Sequence, residues 1–126
     1  MLLDTHAFIW WDNDRSKLSD RVLTALHDPQ NTLHLSLVSI WELQVKIQLG
    51  KLSLRLPLAE VVQAQCEQNK FVIEAISLKD ILTLSVLPPV HRDPFDRLLV
   101  SQAKRGDFHL VSHDAVMSSY PVEVFW

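Results

Sequence analysis

The chain predicts an α/β fold, a three-layer α/β/α sandwich around a mainly parallel sheet, on three observations. Short apolar strand candidates alternate with segments of helical period from one end to the other. Helical segments are numerous enough to cover both faces of such a sheet, which suits strands that are apolar throughout. The length of 126 residues, with 48% apolar and 21% charged residues, is that of one ordinary domain spanning 1–126 with a real hydrophobic core.

The elements follow in order. Leu2 and Leu3 begin a short apolar strand closed by Asp4, and Thr5 is placed to cap a helix through Trp11, with a turn at Asp12-Asn13-Asp14. Ser19 is the expected N-cap of a helix through Val22, Leu23 and Leu26 that ends near Asp28-Pro29. Leu33, Leu35 and Ser36 read as a strand. The next helix has capping-box spacing at Ser39-Ile40-Trp41-Glu42, apolar positions at Ile40, Leu43 and Ile47, and a stop at Gly50. Pro57 fits the first turn of a helix reaching about Asn69, Phe71 to Ile76 reads as a strand, and Leu78 to Leu84 as a short helix before Pro88-Pro89. Asp93-Pro94-Phe95-Asp96 opens a helix that Gly106 stops. His109 to Ser112 and Val122 to Phe125 complete the strands.

Several function classes are excluded or disfavoured. Twelve Lys and Arg against fifteen Asp and Glu give a formal charge of -3, with no basic run of the kind that marks a nucleic-acid-binding tail. Cys66 is the single cysteine, so no internal disulfide can form. Met1-Leu2-Leu3-Asp4 does not read as a secretory signal, and no stretch has the length and apolarity of a membrane span. A soluble, cytoplasmic protein is the expectation.

The functional clue is where the acids fall. Asp4 ends the first strand, Glu42 lies near the start of the helix after the second, Asp96 begins the helix after Pro94, and Asp114 follows the strand at Leu110-Val111. Strand carboxyl ends and the amino ends of following helices share one edge of a parallel sheet, so these acids are able to converge. Unneutralised they would repel one another, whereas hard divalent cations such as Mg2+ or Mn2+ would bind them through oxygen and supply phosphodiester chemistry. No zinc spacing and no glycine-rich phosphate loop is present.

Each residue also has a structural explanation. Glu42 fits a capping box with Ser39, Asp93 an N-cap before Pro94, Asp96 a helix-dipole partner, and Asp114 a cap for Ala115-Val116. Asp4 is hardest to explain this way, because a carboxylate directly after a buried strand needs a partner. His6, His91 and His113 lie near the acidic edge in sequence. Lys46, one turn after Glu42, is either its intrahelical partner or a phosphate contact, and Arg92 and Arg97 divide between ion pairs and phosphate. Trp10, Trp11, Trp41 and Trp126 divide between base stacking and core or interface packing. The residues alone leave open a non-catalytic protein-interaction domain and a magnesium-dependent phosphoacceptor domain, the second disfavoured because Asp4 stands without an adjacent acid.

The opening LLDTHAFIWW, the segment SIWELQVKIQLGKL, HRDPFDRLLVSQA and the late LVSHDAV, in that order across the whole chain, resemble the PilT N-terminus or PIN-domain nucleases, and within them the VapC-like toxins of bacterial toxin-antitoxin pairs. The resemblance implies a PIN-like fold and a Mg2+-dependent or Mn2+-dependent endoribonuclease that leaves 5'-phosphate and 3'-hydroxyl ends. Asp4, Glu42, Asp96 and Asp114 match the family's acids, with Asp4, Asp96 and Asp114 as principal metal ligands and Glu42 completing the set directly or through water. Beside these acids, Thr5, Asp93 and Ser112 are candidate water or outer ligands by position, and Arg92, Arg97 and Lys46 candidate phosphate contacts. A cognate antitoxin, an RNA substrate and a homodimer are the implied partners, with helix faces around Phe8, Trp11 and Trp41 as candidate contact surfaces.

Overall fold

The computed structural model describes residues 1–90 and 92–126. His91, and with it the expectation that it borders the acidic edge, lies outside the described residues. Among those described, β1 (Leu2–Leu3), β2 (His34–Ser36), β3 (Val72–Glu74), β4 (Leu110–Val111) and β5 (Val124–Phe125) form one sheet in the order β3-β2-β1-β4-β5, parallel throughout. The helices are α1 (Thr5–Asn13), α2 (Asp20–His27), α3 (Leu37–Gln48), α4 (Leu58–Gln68), α5 (Leu78–Thr83) and α6 (Pro94–Gly106).

Successive residues of a strand point to opposite faces of its sheet, and β1 uses that alternation to join both halves of the core. Leu2 packs with Leu99, Ala103 and Leu110 on the α6 side, whereas Leu3 packs with Phe8, Trp11, Val22 and Val61 from α1, α2 and α4. Helix α3 contributes to both, through Val38 on one side and Leu43 on the other. This is the three-layer α/β/α sandwich with a parallel central sheet that the alternating pattern predicts.

The strand order fixes where a site can form. From β1 the chain moves outward through β2 to β3, then returns to lay β4 along the other side of β1. The connections leaving β1 and β4 therefore depart in opposite directions, and a crevice opens at their carboxyl ends.

Several local expectations are corrected. The cap of α1 is Asp4, whose side chain accepts from Ala7 N–H, and Thr5 is the first helical residue. Helix α1 runs through the expected turn to Asn13, because Asp12 is held from outside by Arg55 and Gln65. Helix α3 starts earlier than the Ser39 capping box requires: Ser36 accepts from Val38 N–H, which leaves Ser39 and Glu42 inside the helix on its buried face. Pro57 stands just before α4 rather than within it. A capping box does occur at Ser77 and Asp80 of α5, where the pattern gave only a short helix. At the end of α6 the left-handed residue is Asp107, while a Cβ on Gly106 would run into the Phe108 ring, so this glycine serves close packing.

Asp80 is fully buried and anchors α5 to α6 through Arg105, whose Nε and Nη2 both donate to its carboxylate. Burial would raise this carboxyl, but the bonds from Arg105 and Ser77 outweigh it and hold it below the ordinary aspartate value. Removing one partner of such a pair strands the other's charge. Arg105→Met is expected to cost about 2 kcal/mol near pH 7, the lower end for a pair whose arginine is partly solvated. A depressed carboxyl stabilises above its unfolded value and loses that contribution in acid, so urea denaturation curves of wild type and variant should draw together below about pH 4.

Candidate active site

Asp4 follows β1 directly and is bound to the next strand by its backbone, N–H to Val111 C=O at 3.0 Å. Its Oδ1 accepts from Ala7 N–H at 2.8 Å, and the side chain is only 6% exposed. Burial pushes its carboxyl above the ordinary value and Glu42 adds to that push, against hydrogen bonds from Ser112 and Ala7 and the nearby His6.

Ser112, just past β4, links two acids. Its buried hydroxyl bonds to Asp4 and accepts from Asp114 N–H at 3.1 Å. Asp114 accepts in turn from Val116 N–H at 3.0 Å, so the expected cap is formed and its carboxylate is fixed in direction. Asp4 and Asp114, with His6, Trp10 and His113, line one cavity of about 280 Å³ at the switch point. A larger hollow of about 420 Å³ lies by His27–Leu33 and Gln68–Lys70, at the amino ends of β2 and β3 and away from these acids.

Glu42 sits behind Asp4, outside that lining. Its Oε1 accepts from the Thr5 hydroxyl at 2.5 Å, with Ser39 Oγ 3.1 Å from the same hydroxyl, and its Oε2 meets Lys46 Nζ at 2.8 Å. Asp96 stands half-buried in the first turn of α6, which Asp93 caps by accepting from Phe95 N–H at 2.9 Å. The edge thus brings together Asp4, Ser112 and Asp114 around a cavity, and Glu42 of α3 is tied to the edge through Thr5, the residue after Asp4. Asp96 and Asp93 approach from α6, which packs on α3. Among the described residues no group of three or more His, Cys, Asp or Glu side chains is close enough to form a metal cage.

Of the proposed phosphate contacts, Lys46 is engaged with Glu42, and Arg97 donates to the carbonyls of Pro88 and Leu84 at 2.8 and 3.1 Å, pinning that loop. Arg92 is exposed. The surface suggested around Phe8 and Trp11 is also corrected: both are 1% exposed and belong to the core, whereas Trp41 is exposed beside Phe95. Of the four tryptophans that the sequence divides between stacking and packing, Trp10 is the one in the cavity wall. It sits in an apolar run next to Trp11, and only helical phase separates them: adjacent helical residues point about 100° apart, so one faces the core and the other the acids.

The chemistry of the donors fits a hard divalent ion. Mg2+ commonly takes one or two carboxylates and fills its remaining positions with water and substrate phosphate, so the Asp4–Asp114 pair suits it without a protein cage. The buried Asp4 charge, opposed by a hydroxyl, an amide and a histidine, is what a cation would relieve.

The sequence model of the PIN domain matches residues 1–123. The chain belongs to the PIN-domain family. Among solved structures the PIN domain is similar to the crystal structure of VapBC2 from Rickettsia felis bound to a DNA fragment from their promoter, at 18% identity and a TM-score of 0.76 over 99% of this chain and 97% of that one. It is also similar to FitAcB from Neisseria gonorrhoeae, at 19% identity and a TM-score of 0.64 over 99% of this chain and 96% of that one. At these identities the likeness establishes the shared fold. Among curated protein sequences none matches the chain.

Asp4→Asn keeps a good helix cap and removes the buried charge. A raised carboxyl imposes no penalty below the unfolded value near 3.8, and the penalty grows as pH rises from there through the folded value. The variant is therefore expected to melt a few degrees above wild type at pH 7, with the gain vanishing below about pH 4, as followed by circular dichroism.

Proposed function

We propose that this PIN domain, acting as one unit over residues 1–126, is a metal-dependent endoribonuclease and the VapC-like toxin of a type II toxin-antitoxin pair. The observation that carries the reading is the buried Asp4 carboxylate at the β1–β4 switch point, sharing a cavity with Asp114 through Ser112, in a chain that the PIN family matches nearly end to end.

In this reading Asp4, Asp96 and Asp114 would hold Mg2+ or Mn2+, and Glu42 would complete the site directly or through water. When bound, the ion lowers the pKa of a coordinated water and offsets charge on the leaving oxygen. Ser112 fixes the separation of the two carboxylates by bonding to the side chain of one and the backbone of the other. Glu42, held by Thr5 and Lys46, orients the attacking water, and its proton leaves toward the acidic edge. Asp93 keeps the first turn of α6, and so Asp96, in place. Attack on phosphorus with departure of the 3'-oxygen leaves 5'-phosphate and 3'-hydroxyl ends.

Exposed apolar side chains support protein partners. Leu78, Ile81, Leu82 and Val86 form an apolar face on α5 and the turn after it, with Leu82 63% exposed, and Trp41 stands 55% exposed against Phe95. Patches of this kind on a small domain mark association surfaces. We assign them to a second copy and to a cognate antitoxin. No helix among the described residues is long and apolar enough to cross a membrane, and we expect the pair to act in the cytoplasm.

The test is cleavage of cellular RNA by antitoxin-free protein. Mg2+ or Mn2+ should support cutting to 5'-phosphate products that EDTA abolishes, and folded Asp4→Asn and Asp96→Asn should lose at least about 100-fold in rate. Intact RNA with folded, metal-supplemented wild type would leave a non-catalytic interaction domain, in which the acids are caps and ion-pair partners. A second readout is independent of turnover: millimolar Mg2+ should raise the wild-type Tm and leave that of Asp4→Asn unchanged.

A further inference from the structure

We propose that the ring-lined wall of the Asp4–Asp114 cavity is a subsite for one unpaired nucleobase of single-stranded RNA, stacked against Trp10. This rests on the nuclease reading and adds to it the form of the substrate. Four rings gather there. Trp10 lies 6.0 Å from His6 and 6.0 Å from His113 between ring centroids, and Trp126 packs 5.9 Å from Trp10 and 5.0 Å from His113. In these four contacts the planes cross at 47 to 67°, so each is tilted or edge-on rather than face to face. Trp10 and Trp126 are half-buried and anchored on the core beneath, while His6 and His113 are exposed.

Position separates this cluster from the other tryptophans. Trp11 is sealed in the core, where its Nε1 donates to Gln65 at 3.0 Å, and Trp41 lies on α3 beside Phe95 rather than in the cavity lining. Trp10 lines the same 280 Å³ space as the two carboxylates, which has room for a heterocycle and several waters. A base on Trp10 would leave its phosphate facing Asp4 and Asp114.

Charge argues in the same direction. The chain carries a formal charge of -3, Lys46 is paired with Glu42, and Arg97 is taken up by backbone carbonyls, so phosphate attraction from these cations is weak. Stacking on an aromatic ring supplies affinity without cationic side chains and accepts any base with a free face. A base inside a duplex has no free face, so unpaired RNA is the form the wall takes.

The experiment measures binding of a short labelled single-stranded RNA to the full chain by fluorescence anisotropy, with Ca2+ in place of Mg2+, and repeats it with an abasic residue at each position in turn. One abasic position should weaken wild-type binding about 5- to 100-fold. Trp10→Leu should weaken binding of intact RNA by a similar factor and lose little more on that abasic RNA, whereas Trp10→Phe should retain most of the affinity. Equal binding of intact RNA and every abasic RNA, absence of RNA binding, or penalties that multiply in full would overturn the proposal. If Trp10→Leu does not fold, the abasic series on wild type decides. Cleavage of the same RNAs in Mg2+ separates the two readings: cutting with KM unchanged by every abasic position removes only the stacking subsite, and base-dependent binding without cutting removes only the nuclease.

Discussion

A carboxylate withdrawn from water at the end of a central strand must be stabilised by whatever surrounds it. Asp4 is in that position because β1 is the middle strand of the sheet, flanked by β2 and β4 and covered by α1 and α6, so the residue that ends it is largely buried and meets solvent through the cavity it lines. The neighbouring elements are arranged around this charge. Ser112 arrives from β4 with a hydroxyl, α1 presents the N–H of Ala7, and Thr5 turns to Glu42 on α3. The β1–β4 pairing brings Ser112 beside Asp4, and the reversal of strand order at that pairing opens the cavity where Asp114 joins them.

Comparison with the other buried acids gives this site its meaning. Asp80 has Arg105, Asp12 has Arg55 beside the neutral amide of Gln65, and Glu42 has Lys46, so each of these acids has a cationic partner. Asp4 is answered by a hydroxyl, an amide and a histidine, and its carboxyl is raised on balance, whereas burial at Asp80 is outweighed by the bonds from Arg105 and Ser77. Asparagine would cap α1 equally well without that cost. A residue that weakens the fold where a neutral isostere would serve is characteristic of a functional site, where charge is retained for chemistry.

The sequence made the architecture legible because its signals were local. Ser19 before Val22, Asp93 before Pro94 and the left-handed Gly50 each set an element end within a few residues. It failed where a competing residue lay just upstream. Ser36 and Ser39 both suit a helix start, and the choice of Ser36 depends on where β2 leaves the sheet. The difference matters for function, since it converts Glu42 from a capping residue at the helix end into a buried one that faces Thr5. The placement of Asp4 and Asp114 on one edge could be read from their positions after strands. The Ser112 bridge between them, the Asp80–Arg105 pair and the use of Arg97 on carbonyls are long-range contacts with no periodic signature.

The two tryptophans at positions 10 and 11 show how one local pattern serves two purposes. An apolar helix start next to a buried strand needs a large side chain to fill the space over the sheet, and Trp11 does that with its indole N–H satisfied by Gln65. The neighbouring position then faces the strand ends rather than the sheet, which is where Asp4 and Asp114 also face. Placing a second indole there brings a rigid apolar surface against an acidic pair. Water at that wall is poorly held by the ring and strongly held by the carboxylates, so a ligand that is flat on one side and anionic on the other fits the cavity better than either an apolar or a fully charged one. A nucleotide has that division of character.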